Sequence, residues 1–189
     1  EIHYWHGFDR LLKGLANYYI HSPQYKVYFH IIGDFFNPGE REEYMSIIKE
    51  NHLDPYVILH GRQAGQMLDL LFELCDFGIG SLGRHRSGIT NIKTLKNREY
   101  AARGIPFIYS EIDEDFENMP YIMKIPANEE AVDIKQILNF YNQLHITPLE
   151  IRNSIRHLSW NNQMKKVLDE MQKKDKINPN NNNIANFAT

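Results

Sequence analysis

Apolar positions along this chain of 189 residues follow two alternating spacings. In one, apolar residues recur every three to four positions, which is typical of an amphipathic helix. That spacing predicts helices at residues 8–19, 38–51, 66–74, 94–103, 133–144, 148–157 and 160–174. In the other, short runs are apolar almost throughout and predict strands. Those runs are residues 25–34, 56–61, 75–82, 106–110 and 121–126.

The order of these elements predicts the fold class. Strands that are apolar on both faces are typical of a parallel sheet covered by helices. Their alternation with helices indicates βαβ units, so the sequence predicts an α/β fold with a doubly wound parallel sheet, Rossmann-like in form. Sheets of this kind bind ligands at the carboxyl ends of their strands. We therefore expect a ligand near the loops after Gly33, Gly61 and Leu82 and near the helix at residues 94–103.

Composition narrows the class of protein. Hydrophobic residues make up 42% of the chain and aromatic residues 12%, enough to build a folded core. The formal net charge of -3 argues against a nucleic-acid partner held by bulk positive charge. The single cysteine, Cys75, excludes a disulfide framework within the chain and favours a reducing compartment, the cytosol. No apolar run approaches the roughly 20 residues of a membrane-spanning helix.

The two ends of the chain predict its domain organisation. The first residue is Glu1 rather than Met, and residues 2–5 resemble the end of a strand, so we expect a piece of a longer protein. Residues 175–189 are rich in Asn and lack a core pattern, which favours a flexible tail. The predicted organisation is one folded domain over residues 1–174, followed by this tail.

The helix at residues 94–103 carries the first candidate for binding chemistry. Leu95, Tyr100 and Ala102 are expected to form its apolar face. Its first turns also bear Lys96 and Glu99. One interpretation is an ion pair between these two side chains on a solvated surface. The alternative, which the position at the sheet edge favours, is that both side chains face a ligand.

The polar loop "GRHRSGITN" at residues 83–91 is the second candidate. It leads toward a helix N-terminus, where free backbone N–H groups attract anions. The loop carries Arg84 and Arg86, whose side chains suit a phosphate, and the glycines Gly83 and Gly88. A solvated surface loop is the alternative.

Three other patterns in the sequence give weaker indications of a binding site. The run "GIGSLG" at residues 78–83 matches the dinucleotide-binding spacing, but it does not lie at the first βα turn and no helix follows it directly. The histidines His6, His60 and His85 lack the spacing of a metal site. The acidic run "EIDEDFE" at residues 111–117 fits an exposed helix start better than a cation site.

Five segments, in order, resemble the C-terminal domain of family four retaining glycosyltransferases, enzymes of the GT-B architecture. They are "WHGFDRLLKGLANYY", "FHIIGD", "VILHGRQAGQMLDLLFELCDFGIGSL", "LKNREYAARGIPFI" and the late "SW". The fourth is the most specific, since it is similar to the family's "L-K-x-x-E-Y-x-A-x-G-x-P-V-I". The resemblance covers residues 5–171 and implies the half of a GT-B fold that binds a nucleotide sugar.

The family's Glu-x7-Glu signature implies roles for particular residues. Glu99 matches the second Glu, which holds the ribose hydroxyls of the donor, and Lys96 matches the Lys of the same segment. Asn91 stands where the first Glu contacts the donor sugar, and His6 stands where the family has a basic diphosphate-binding residue. We expect Arg86, Lys96 or Arg10 to supply that charge instead. The predicted donor-binding residues are therefore His6, Gly61, Ser81, Arg86, Gly88, Asn91, Lys96 and Glu99.

The resemblance also implies a function. The chain would bind a nucleotide-diphosphate sugar. N–H donors and cationic side chains would stabilise the leaving diphosphate, so no metal or other cofactor is expected. The acceptor, a glycan or lipid-linked sugar, would be held by an N-terminal domain missing from this chain. This chain alone would then bind donor but transfer poorly. The setting implied is bacterial surface polysaccharide (capsule) synthesis, in the cytoplasm or at the inner face of the membrane through peripheral association. No catalytic residue is assigned.

Two other functions stay open on the sequence. A nucleotide-binding module that has lost catalysis is favoured by Asn91 in place of a Glu. A regulatory α/β domain of the receiver type needs several acids after its first strand, and this position offers only Asp34.

Overall fold

The computed structural model describes residues 1–21 and 23–177. Its α-helices are α1 (Phe8–Tyr19), α2 (Pro38–Glu50), α3 (Gly65–Glu73), α4 (Leu95–Arg103), α5 (Ile134–Asn142), α6 (Pro148–Ser154) and α7 (Trp160–Ile177). Its strands are β1 (Phe29–Ile32), β2 (Val57–Gly61), β3 (Gly78–Ile79), β4 (Phe107–Tyr109) and β5 (Ile122–Lys124). Short 3-10 turns occupy Tyr4–His6, Arg84–Ser87 and Arg156–Leu158.

Each helix and strand predicted from apolar spacing is present, although the strands are shorter than the apolar runs. The predicted strand at residues 75–82, for example, is reduced to Gly78 and Ile79. The predicted helix at residues 148–157 ends at Ser154, and a 3-10 turn follows it. An apolar run indicates which residues are buried. Buried residues extend beyond those that form strand hydrogen bonds, so the run is longer than the strand.

All strand pairs are parallel, which confirms the predicted α/β class. β1 pairs with β2, and β3, β4 and β5 form a second ladder in that order. The strands are thus divided between two hydrogen-bonded sheets, and in the described part of the chain no ladder joins β1 to β3. A single doubly wound sheet is therefore not confirmed.

The N-terminal segment connects the two sheets. Residues 2–5, expected as the end of a strand, contribute only a bridge between Ile2 and Phe35, after which the chain turns into a 3-10 helix. Gly7 then starts α1 with a φ of 67°. A Cβ atom on Gly7 would lie 2.7 Å from the Leu82 carbonyl carbon and 2.8 Å from the Gly83 nitrogen. Glycine at this position lets the start of α1 lie directly against the loop after β3.

Two hydrophobic cores fill the molecule. The larger surrounds α1, whose Leu11, Leu12 and Leu15 are buried among β1, α2 and α5. The smaller lies around β4, with Phe107 and Tyr109 fully buried.

Helix α4 packs a different face from the one that its apolar residues predict. Leu95 is 83% exposed and Ala102 is also exposed, whereas Asn97 and Ala101 are fully buried. The Asn97 side chain donates a hydrogen bond to Asp113 at 3.2 Å. A buried amide with a partner can thus take the inward position that apolar spacing assigns to a leucine.

Helix α7 presents an apolar stripe to solvent. Its exposed members, at helical spacing, are Trp160, Met164, Val167, Leu168 and Met171. Across residues 1–21 and 23–177, no helix is both long and apolar enough to cross a membrane. The helix continues to Ile177, past the start of the predicted flexible tail, and the rest of that tail, residues 178–189, lies outside the described residues.

Candidate functional site

A cavity of about 710 Å³ is lined by residues of both sheets and runs along β1 and β3. Gly33, Arg62 and Gln63, which follow β1 and β2, line part of its wall, and Lys96 and Glu99 of α4 line another part. That part of the wall includes the carboxyl ends of strands, where a parallel α/β sheet is expected to bind ligands. The volume falls in the range of small-molecule sites, roughly 300–1,000 Å³.

Most of the cavity wall is apolar. Phe8 and Leu11 of α1, Leu68 and Phe72 of α3, and Ile79 of β3 contribute side chains. Apolar walls with a few polar groups suit a flat organic ring that carries polar or charged substituents.

Lys96 and Glu99 line the same cavity but do not pair with each other. The Glu99 carboxylate accepts from Arg103 at 3.1 Å, and the same guanidinium pairs with Asp69 at 2.7 Å. The Glu99 side chain remains 44% exposed, so a ligand can reach it, and the pair with Arg103 fixes its orientation. The Arg103 guanidinium lies 4.0 Å from the centre of the Phe72 ring, which further fixes its position.

Lys96 points away from Glu99, toward the start of α1. Its ammonium lies 5.6 Å from the centre of the Phe8 ring. Burial lowers the pKa of Lys96 to about 8, while nearby Glu111 raises it and Arg84 lowers it further. A cation that has lost part of its hydration interacts more strongly with an anionic ligand.

His6 lies beside this ammonium but contributes no charge. Burial, together with Lys96 and Arg84, lowers the pKa of His6 to about 2. Its Nδ1 atom accepts a hydrogen bond from the His3 N–H at 2.9 Å, so the proton of the neutral ring is on Nε2. If His6 contacts the diphosphate as the resemblance implies, it does so as a neutral N–H donor and not as a cation.

The neutral His6 predicts a loss of stability in mild acid. In the unfolded chain a histidine takes up a proton below about pH 6.5, whereas the folded ring stays neutral down to about pH 2. The unfolded state thus binds more protons in this interval, so stability falls as the pH falls from 6.5. Between pH 7 and pH 5 we expect the free energy of unfolding to decrease by about 1 kcal/mol less in His6→Asn than in wild type, after allowance for partial exposure of the ring.

Urea unfolding at both pH values measures this difference. Asn retains an acceptor for the His3 N–H, and His157→Asn, on an exposed histidine, is the matched control. An equal pH dependence in wild type and His6→Asn would show that His6 takes up its proton normally.

Two charged residues near Lys96 are not among the predicted donor-binding residues. Glu111 is 2% exposed, and neither of its carboxylate oxygens has a hydrogen-bond partner among the described residues. The Arg84 guanidinium lies 5.2 Å from the centre of the Trp5 ring, and its buried Nε likewise has no partner in the described part of the chain. Arg84 belongs to the polar loop at residues 83–91, but sequence reasoning favoured its neighbour Arg86.

The acidic run at residues 111–117 is not the exposed helix start that we expected. Glu111 and Asp113 are both buried, at 2% and 0% exposure. The run directly follows β4, so its first residues remain inside the fold. Asp113 pairs with Arg98 at 2.8 Å, which leaves Glu111 as the carboxylate without such a contact.

Arg86 is engaged within the protein and does not fit the predicted role of a phosphate ligand. Its guanidinium donates to two carboxylates, to Asp9 at 2.8 and 2.9 Å and to Glu129 at 3.0 and 3.1 Å. We call Asp9, Arg86 and Glu129 the Arg86 triad. Hydrogen bonding from Arg86 lowers the pKa of Glu129 to about 2, with a contribution from His85, which lies 2.6 Å from the same carboxylate.

Arg10 is also unavailable to a phosphate. Its side chain is 2% exposed and donates to the backbone carbonyls of Leu82, Pro126 and Glu130 and to the Asn128 side chain. Among the three cations expected to supply the diphosphate charge, Lys96 alone remains positioned for it.

The other predicted residues lie at different places along the edge. Ser81 is 2% exposed, and its carbonyl oxygen accepts from the Ser110 N–H at 3.0 Å. Gly61 ends β2 with a φ of 63°, directly before the cavity residue Arg62. Gly88 ends a 3-10 turn with a φ of 69° and open space around it. Asn91 is exposed and forms a parallel bridge with Ile112, next to Glu111.

Within the described ranges, no group of three or more His, Cys, Asp or Glu side chains is arranged to hold a metal ion. No family model, curated protein or solved structure matches this chain.

Proposed function

We propose that this chain is the donor-binding domain of a retaining glycosyltransferase and binds a nucleotide-diphosphate sugar. The observation that carries the proposal is the 710 Å³ cavity along β1 and β3, with Lys96 and Glu99 in its wall. Both residues belong to the segment "LKNREYAARGIPFI", the most specific part of the resemblance to donor-binding domains. Their shared cavity supports that assignment.

Glu99 is the residue that we propose binds the ribose. A carboxylate accepts two hydrogen bonds from a vicinal diol, and such charge-assisted bonds are strong. The side chain is accessible, and Arg103 orients it. The apolar wall of Leu68 and Phe72 next to it offers a surface for the flat nucleobase.

Lys96 is the residue that we propose binds the diphosphate. Its ammonium is partly desolvated and keeps its proton at pH 7, because its pKa is about 8. The neutral His6 adds an Nε2–H donor close to it. As the anomeric bond breaks, negative charge develops on the diphosphate, and fixed donors and cations of this kind stabilise it.

The finer fold and setting form part of this proposal. Both β1 and β3 residues line the cavity, which supports a Rossmann-like order 2-1-3-4-5 with β1 and β3 as its central neighbours. We place the acceptor, a glycan or lipid-linked sugar, on a separate N-terminal domain, as the GT-B resemblance implies. The exposed stripe of α7 provides apolar surface for such a contact. Capsule synthesis at the cytoplasmic side of the membrane is the proposed setting.

Titration calorimetry with UDP, GDP, ADP and their sugars tests the proposal. We expect one nucleotide to bind and Glu99→Gln to weaken its binding about tenfold or more, because hydrogen bonds to a charged group contribute roughly 1.5–3 kcal/mol. Asp69→Asn is the matched control, since Asp69 shares Arg103 with Glu99 but lies outside the cavity wall. Equal loss in both variants would assign the effect to Arg103, and no binding by wild type would contradict the proposal.

A nucleotide-binding module without transfer is the second candidate. It is favoured by Asn91, a neutral residue that the structure leaves exposed, where the resemblance implies a carboxylate. Binding of donor by the parent protein, with neither transfer nor hydrolysis, would support it.

A further inference from the structure

Glu111 occupies an unusual position for a carboxylate. Its backbone neighbours are held on both sides, because the Ser110 N–H donates to the Ser81 carbonyl at 3.0 Å and the Ile112 N–H donates to the Thr90 carbonyl at 2.8 Å. The side chain is 2% exposed, and within residues 1–21 and 23–177 both of its oxygens are buried without a partner. The fold therefore fixes where this carboxylate lies but leaves its acceptors unused.

The surroundings of Glu111 are positively charged. Burial raises the pKa of the Glu111 carboxyl group, and the charges of Lys96 and Arg84 act in the opposite direction. Neither cation donates a hydrogen bond to the carboxyl group, so its charge has partners but its oxygens do not. Unsatisfied buried acceptors are costly and uncommon in folded proteins. A ligand that brings hydrogen-bond donors would satisfy them.

The neighbouring segment supplies no carboxylate of its own. Asn91 runs beside Ile112 in a parallel bridge, and the Ile92 N–H donates to the Ile112 carbonyl at 3.0 Å. Asn91 itself is exposed, whereas Glu111 lies inward, on the side of Lys96. At this point of the edge, Glu111 is thus the carboxylate whose charge acts on Lys96.

We propose that Glu111 binds the sugar part of the donor and accepts hydrogen bonds from its hydroxyl groups, so that it is a specificity-determining residue. The inference rests on the proposed function. A phosphate would be repelled by this carboxylate, whereas hydroxyl groups donate to it. Lys96 lines the cavity and Glu111 does not, so we propose that movement of the flexible Lys96 side chain toward a bound phosphate gives a hydroxyl group access to the carboxylate.

The test compares each nucleotide sugar with its nucleoside diphosphate. The probes are UDP and UDP-glucose, GDP and GDP-mannose, and ADP and ADP-glucose, titrated into wild type and Glu111→Gln. We expect wild type to bind one sugar nucleotide more tightly than the bare diphosphate, and Glu111→Gln to reduce that preference about tenfold. Affinity for the diphosphate itself should stay equal or rise, because the variant removes a negative charge near Lys96.

Glu114→Gln is the matched control, because Glu114 is 73% exposed and belongs to the same acidic run. If Glu111→Gln fails to fold, Glu111→Asp, which withdraws the carboxylate by one methylene group, is assessed in the same way. An unchanged preference in the Glu111 variant, or none in wild type, overturns this inference while diphosphate binding upholds the proposed function. No binding of any nucleotide by wild type overturns both.

Discussion

Arg10→Met is expected to destabilise the protein by about 3–5 kcal/mol, because a buried guanidinium that joins three segments is lost. Arg10 donates to the carbonyls of Glu130 at 2.8 Å and Pro126 at 3.1 Å, to Asn128 Oδ1 at 2.8 Å, and to the Leu82 carbonyl. Methionine preserves the apolar stem but none of the donors. The acceptors then remain buried without partners, each at a cost of roughly 1–3 kcal/mol before relaxation.

Urea unfolding at pH 7 measures this loss. Lys13→Met on the same helix is the control, since Lys13 is half exposed and makes a single ion pair with Asp9 at 3.3 Å. An exposed pair of this kind contributes about 0–1 kcal/mol. A similar small effect in Arg10→Met would mean that the Leu82 and Pro126 segments hold their positions without the guanidinium.

Gly14→Ala is expected to cost about 3 kcal/mol or more, through a clash that no side-chain movement relieves. A Cβ atom at Gly14 would lie 2.0 Å from the Val132 carbonyl oxygen. The Val132 N–H also donates to the Arg10 carbonyl at 3.0 Å. This hydrogen bond holds the segment around Val132 against α1, so the segment cannot move away to relieve the clash. Relief requires that α1 and the start of α5 separate.

Gly39→Ala in α2 is the matched control for this effect. The nearest atom to its added Cβ is Asn37 Oδ1 at 3.3 Å, at an exposed helix start. Alanine is the better helix former by roughly 1 kcal/mol, so this variant should be neutral or slightly more stable. If thermal unfolding shows equal midpoints for the two variants, α1 does not pack as closely on Val132 as described.

The elements of the fold were predictable because apolar spacing reports burial directly. Helix α1 has the bounds that its leucine spacing predicts, Phe8–Tyr19. The division of the strands into two ladders was not predictable, since an apolar run such as residues 25–34 does not state which strand it pairs with. Leu95 illustrates a second limit, because a leucine in the first turn of α4 is 83% exposed while Asn97 is buried.

The site was predictable where position along the sheet edge decided it. Lys96 and Glu99 reach the cavity because α4 begins at that edge. Arg86, predicted to bind a phosphate, is paired within the protein, and sequence could not indicate this because its Asp9 partner lies 77 residues away. Glu111 was passed over because an acidic run gives no sign of which member lies inside the fold. Its burial depends on the pairing of Ser110 and Ile112 with distant segments.

The Arg86 triad has a consequence for the direction in which an anion approaches. One guanidinium faces two carboxylates, Asp9 and Glu129, and the Lys13 ammonium at 3.3 Å from Asp9 completes a neutral group. A neutral group exerts little attraction at a distance, so this part of the polar loop does not compete for phosphate. The potential that steers a dianion is then concentrated at Lys96 and Arg84. For the nucleotide sugar that we propose as the ligand, this favours one orientation, with its diphosphate toward these two cations and its ribose toward Glu99.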